Sequence, residues 1–138
     1  MRILILCTGN SCRSQMAEGF LKSFSTDVEV YSAGTNPSSK VHPKAVQVMK
    51  ESGIDISDNY TKSVDQFINE SFDYVITVCD DAKETCPVFF GKVGKQTHIG
   101  FVDPAKASGT EEEILTVFRE VRDRIKIQFL EFYNDIKN

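Results

Sequence analysis

Residues 2–14 read RILILCTGNSCRS: an apolar run, a cysteine, five mostly small and polar residues, and an arginine followed by serine. Arg2 to Leu6 is a short apolar run, the pattern of a strand buried in a parallel sheet. Ser14 to Phe24 carries Met16, Phe20, Leu21 and Phe24 at helical spacing. The stretch is therefore a strand, a loop and a helix, with Cys7 closing the strand and Arg13 and Ser14 opening the helix. Backbone N–H groups in such a loop converge on a point that already carries the positive end of the helix dipole, which attracts an oxyanion. Thr8, Gly9, Asn10, Ser11, Cys12, Arg13 and Ser14 are the expected anion-binding residues. Gly9 permits close backbone approach, Asn10 tolerates the same unusual conformation, and Arg13 can grip two oxygens in a fork. A thiol at the centre of that field favours its thiolate, so Cys7 is the expected nucleophile. Ser14 can donate to that thiolate or cap the helix. The nucleotide-loop spacing G-x-x-x-x-G-K-[ST] is absent.

The rest of the chain alternates strands and helices. Val28 to Tyr31 reads as a second strand, ended by an Ala33-Gly34 turn. Pro43 to Gly53 reads as a helix with Ala45, Val46, Val48 and Met49 as its apolar stripe. A short helical piece is expected around Ser63 to Asn69, a third strand at Phe72 to Val78, and a fourth around Thr97 to Phe101. Thr110 and Glu113 form a capping box before Ile114, Phe118, Val121, Ile125, Phe129, Phe132 and Ile136, which step by three and four as a core-facing stripe. This order implies an α/β fold, a four-stranded parallel sheet with helices on both faces and ligands beyond the carboxyl ends of the strands. Cys7, Cys79 and Asp103 all fall at that end. Asp103 is the candidate acid for a departing oxygen, although an Asp-Pro pair also serves as a plain turn starter.

Composition narrows the function. With 138 residues the chain suits a single domain, residues 1–138. Its 20 acidic and 16 basic residues give a net charge of -4, which argues against nucleic-acid or anionic-membrane binding. No stretch approaches the roughly 20 apolar residues of a spanning helix, so a cytoplasmic location is expected. Four cysteines, Cys7, Cys12, Cys79 and Cys86, in a reducing compartment point to catalysis, redox exchange or metal. The ends of neighbouring first and third strands could meet as a disulfide between Cys7 and Cys79. Cys86 lies seven positions after Cys79, about 10.5 Å along an unbroken helix and too far for a disulfide, so the segment Asp80 to Lys95 must bend. Pro87, Gly91 and Gly94 within it suit such movement.

CTGNSCRSQMAEG at residues 7–19, SAGT at 32–35, the Cys79 and Cys86 pair, and DPAKASGTEEE at 103–113 together resemble the thioredoxin-coupled arsenate reductases, which share the fold of the low-molecular-weight protein tyrosine phosphatases. The resemblance implies that Cys7 attacks arsenate held by the loop and Arg13 while Asp103 protonates the leaving oxygen. It further implies that Cys79 then attacks Cys7, releasing arsenite, and that Cys86 takes over the bridge for reduction by thioredoxin. A monomer with no cofactor and no metal is expected. Cys12 matches a position outside the relay and is read as structural or as a protective partner for Cys7. Asn10, Glu18 and Ser32 match positions that surround a potassium ion in some members, without a matching acidic partner near Ser63. His98 is read as a satisfied supporting group, and His42 as a loop residue before Pro43. The chain departs from the family in reading His98-Ile-Gly-Phe-Val-Asp103 where a tryptophan and a further acidic residue are common.

Two rivals follow from the same residues. A phosphatase would use Cys7, Arg13 and Asp103 alone, but Ala105 offers no ring after Asp-Pro to line a phenyl-binding cleft. A four-cysteine zinc module would favour closer pairs than intervals of four and six residues allow.

Overall fold

The computed structural model describes residues 1–80, 89 and 91–137. Cys86 and Pro87, with most of the segment expected to bend, lie outside the described residues. The elements run β1 (Arg2–Cys7), α1 (Arg13–Phe24), β2 (Glu29–Gly34), α2 (Pro43–Glu51), a 3-10 turn at Val64–Phe67, β3 (Ser71–Thr77), β4 (Lys92–His98), a 3-10 turn at Pro104–Lys106, and α3 (Glu111–Ile136). All strands are parallel, in the order β2-β1-β3-β4.

Strand β1 is central because it is apolar on both faces. Ile3, Ile5 and Cys7 point to one side, where Met16, Phe20, Val48, Phe118 and Phe129 of the three α-helices cover them. Leu4 and Leu6 point to the other, against Ala33, Phe67, Phe72, Val75 and Phe89. The turn at Val64–Phe67 thus covers the second face through Phe67. Helix α3 starts at the expected capping box: Thr110 Oγ1 accepts from Glu113 N, and Glu113 Oε1 accepts from Thr110 N, both at 3.1 Å. Leu115, Phe118, Val121, Ile125 and Phe129 form its buried face, with Ile114, Phe132 and Ile136 at the margin. Gly53 ends α2 with φ +79°, as its position after the apolar stripe suggests.

Two boundaries differ from the sequence expectation. Strand β2 continues through the Ala33-Gly34 pair instead of turning there. Gly34 lies opposite Cys7, and its N–H donates to the Lys62 carbonyl at 2.8 Å. Strand β4 occupies Lys92–His98, overlapping the expected Thr97 to Phe101 only at its end. The physical reason is its place at the sheet edge. An exposed edge strand has no apolar alternation to display, and Lys92 and Lys95 discourage pairing with other chains. The apolar stretch after it is irregular backbone held to β3 by Ile99 N to Thr77 O (2.9 Å) and Phe101 N to Val78 O (3.2 Å), with Phe101 plugged into the core.

Phe129 is fully buried and Ile127 is 58% exposed on the same helix. Phe129→Ala should therefore lose about 3–5 kcal/mol in a urea titration, and Ile127→Ala less than about 0.5 kcal/mol. Equal losses would contradict the placement of α3.

Candidate active site

The loop between β1 and α1 has a simple hydrogen-bond logic. The carbonyls of Cys7, Thr8, Gly9 and Ser11 accept, in turn, from the N–H groups of Thr35, Asn36, Ser38 and His42 at 2.9–3.3 Å. That segment follows β2 directly, so the sheet itself lays it along the outside of the loop. With its carbonyls turned outward, the loop keeps its amides for the inner side, and the Asn10 N–H donates to Cys7 Sγ at 3.1 Å. Asn10 has φ +53°, the left-handed conformation the turn requires. Gly34 permits the close approach: a Cβ there would sit 2.3 Å from the Thr8 carbonyl oxygen.

Below the sulfur, Ser14 Oγ lies 3.0 Å from Cys7 Sγ and accepts from Asn10 Nδ2 at 2.8 Å. Toward a thiolate, which has no proton to give, the Ser14 hydroxyl must be the donor. Ser14 thus serves the sulfur, and Cys12 at the N-cap provides no side-chain cap. Asn10 Nδ2 also donates to Ser32 Oγ (3.0 Å), whose hydroxyl donates to Glu18 Oε1 at 2.6 Å. The other Glu18 oxygen accepts from Lys22 Nζ at 2.8 Å. Asn10, Glu18 and Ser32 therefore form a closed network in which Lys22 neutralises the carboxylate.

Above the sulfur, Arg13 is buried and donates through Nη1 to the Phe101 carbonyl at 3.2 Å, while Nη2 stands 3.7 Å from Asp103 Oδ2. Asp103 combines both roles weighed for it. Its Oδ1 accepts from Ala105 N at 3.0 Å and starts the turn, and its Oδ2 faces the guanidinium. Together these groups enclose a cavity of about 680 Å³ lined by residues 7–13, Thr35, Asn36, Ser38, Asp103, Ala105 and Lys106. Every expected loop residue lines it except Ser14, which supports it from beneath. Arg13 and Lys106 supply local positive charge in a chain that is negative overall.

The thiols differ. Cys7 and Cys12 are free, whereas Cys79 is buried and disulfide-bonded. Burial pushes the Cys12 thiol up to about 12, only partly offset by its contact with the Ser11 hydroxyl. Leu6 is paired with Thr77, and Val78 N donates to the Leu6 carbonyl at 3.0 Å, so Cys79 follows at the same end of the sheet as Cys7.

A family model described as low molecular weight phosphotyrosine protein phosphatase matches residues 2–138. The chain belongs to this family. It is 49% identical over 131 residues to an arsenate reductase of Bacillus subtilis, covering 94% of this chain and 93% of that protein. A solved structure of an arsenate reductase in the phosphate binding state superposes with TM-score 0.78 at 31% identity, covering 99% of this chain and 98% of the other. The thioredoxin-dependent arsenate reductase of Corynebacterium glutamicum gives TM-score 0.64 at 26% identity, covering 98% of this chain and 60% of that one. The four-stranded parallel sheet of the phosphatase type expected from the sequence is the one observed; of the helices expected on both faces, the three described α-helices share one face and the 3-10 turn at Val64–Phe67 packs on the other.

The remaining candidates are placed as follows. His98 Nδ1 lies 2.7 Å from Thr77 Oγ1 at the ends of β4 and β3, in a supporting position. His42 is more than a loop residue: its Nδ1 accepts from Lys44 N at 3.1 Å and caps α2. Among the described residues, no group of three or more His, Cys, Asp or Glu side chains is placed to hold a metal ion. No described helix is long and apolar enough to cross a membrane. Thr35, Asn36, Ser38 and Lys106 also line the cavity. Thr35 and Lys106 lie within the SAGT and DPAKASGTEEE motifs without a role of their own being assigned there, and no sequence signal marks Asn36 or Ser38 apart from their place after the end of β2.

The raised Cys12 thiol has a consequence for stability. Its folded value lies above the ordinary 9.0, so the unfolded chain loses this proton first and stability falls as pH rises from about 9 toward 12. Replacing Cys12 with alanine should flatten the decline of the urea midpoint between pH 9 and pH 11 (roughly the window in which the unfolded thiol alone titrates). Identical pH dependence in both proteins would contradict the assignment.

Proposed function

We propose that the chain reduces arsenate to arsenite, with Cys7 as nucleophile and thioredoxin as reductant. Arsenate enters the cradle of residues 8–14, where the loop amides and Arg13 hold its oxygens. Cys7 Sγ attacks arsenic, and Asp103 gives a proton to the departing oxygen, which leaves as water. Cys79 as thiolate then attacks Cys7 Sγ. The sulfur–arsenic bond breaks with its electron pair remaining on arsenic, which leaves as arsenite, and a Cys7–Cys79 disulfide forms. Cys86 attacks Cys79 and frees Cys7, and the dithiol of thioredoxin reduces the final bridge.

Cys79 is the observation that carries this reading over hydrolysis. A phosphatase needs Cys7, Arg13 and Asp103 alone, yet a disulfide-bonded cysteine lies two residues past the end of β3, the strand beside β1, while Cys7 remains a thiol. A cysteine engaged in disulfide bonding at this end of the sheet is what a relay requires and hydrolysis does not. The arsenate reductases to which the chain is similar, one of them described as thioredoxin-dependent, support the same assignment. Ala105 on the cavity wall, in place of a ring, supports an inorganic substrate over an aryl ester.

Arsenate should drive consumption of reduced thioredoxin in a coupled assay. Cys7→Ser should abolish it, and Asp103→Asn should slow it by about 10²-fold. Cys12→Ser should retain most of it. Efficient hydrolysis of an aryl phosphate with no arsenate-dependent thioredoxin oxidation would establish the phosphatase instead.

A further inference from the structure

Gln15 is fully buried one residue beyond Ser14, yet none of the chemistry above uses it. Its Nε2 donates to the Asn10 carbonyl (3.1 Å), to Asn10 Oδ1 (3.2 Å) and to the Tyr60 carbonyl (3.1 Å). Its Oε1 accepts from Asn59 Nδ2 at 3.1 Å. Three oxygens on one side and an amide donor on the other admit a single orientation of the carboxamide. The backbone of the same distant segment also reaches the turn, since Lys62 N donates to Asn10 Oδ1 at 2.9 Å.

Asn10 is the only non-glycine with positive φ among the described residues, a conformation disfavoured for a residue with a Cβ. Its N–H aims at Cys7 Sγ and its Nδ2 aims at Ser14 Oγ, so the orientation of this one residue sets two of the groups around the sulfur. Its carbonyl and Oδ1 are held from behind by Gln15 and Lys62. Residues 59–62 do not line the anion cavity. They nevertheless touch the residue that shapes it.

We propose that Gln15 is a positioning residue that locks the left-handed turn at Asn10 to the segment 59–62, so that oxyanion affinity at Cys7 depends on a segment that never meets the anion. This rests on the reading of residues 8–14 as an oxyanion cradle, and not on which reaction follows. The carboxamide costs nothing in unsatisfied polar groups while the segment is closed. When 59–62 lifts away, Gln15 and Asn10 lose partners together and the loop amides lose their common focus.

The test uses the full chain and inorganic phosphate as the probe, with two readouts. Iodoacetamide labelling of Cys7, followed by peptide mass analysis, gives the phosphate concentration that halves the labelling rate. Gln15→Met, of similar volume and without the polar contacts, should raise that concentration about 5- to 10-fold while the far-ultraviolet circular dichroism is unchanged. In the unsubstituted protein, phosphate should slow hydrogen exchange at the Lys62 N–H by about threefold or more, although Lys62 lies outside the cavity. This second measurement decides the matter if Gln15→Met does not fold. Protection of Cys7 by phosphate that is the same in both proteins, or an unchanged exchange rate at Lys62, would overturn the coupling and leave the cradle intact. Failure of phosphate to protect Cys7 in the unsubstituted protein would instead overturn the cradle.

Discussion

The constraint on which the rest depends is the outward turn of the carbonyls in the loop after β1. Four of them are taken by backbone N–H groups of the segment that continues β2, and the Asn10 carbonyl by Gln15. A loop so arranged leaves its amides as the polar surface around Cys7 without orphaning any buried acceptor. The arrangement also needs a left-handed residue at position 10 and a residue without a side chain at position 34. Preorganisation of this kind is the means by which a chain with a net charge of -4 can hold an anion: fixed dipoles and one buried guanidinium act locally, where solvent does not screen them.

Sheet order supplies the second element. Because β1 lies between β2 and β3, the loop receives its outer support from one neighbour and Cys79 from the other. A thiol relay requires sulfurs distant in sequence to share one end of the sheet, and parallel pairing places them there with no special contact. The free state of Cys7 beside an oxidised Cys79 further separates the two roles proposed for these residues. In the proposed relay Cys7 meets the substrate first and Cys79 attacks Cys7 afterwards. Cys12, buried and held as a neutral thiol, is chemically distinct from both although it lies in the same loop.

Most of the architecture was legible because the signals were local. The apolar run at Ile3 to Leu6, the capping box at Thr110 and Glu113, and the stripe from Phe118 to Phe129 each follow from a periodicity or a short-range hydrogen bond. The loop around Cys7 was legible for the same reason, since its geometry is set by a strand end, Gly9, Asn10 and a helix start. Strand β4 was misplaced because edge strands carry polar residues, while Ile99 to Val102 offered an apolar run that belongs to irregular backbone. The end of β2 was misjudged because Gly34, usually a turn residue, is here required by the Thr8 carbonyl, whose oxygen would lie only 2.3 Å from a Cβ at that position. The roles of Gln15, Ser38 and Lys62 could not be read from sequence at all. They depend on contacts between residues distant in sequence, Gln15 with Asn59 and Tyr60, Ser38 with Gly9 and Lys62 with Asn10, and no local pattern distinguishes them from other polar residues.

The central claim is that Cys7 and Cys79 act on one substrate in succession, and a single turnover of Cys86→Ser tests it most directly. After arsenate treatment of the reduced variant, disulfide mapping should find Cys7 joined to Cys79, with one arsenite released per chain. Free thiols at both positions, with no arsenite formed, would contradict the relay and leave Cys7 as the nucleophile of a hydrolase.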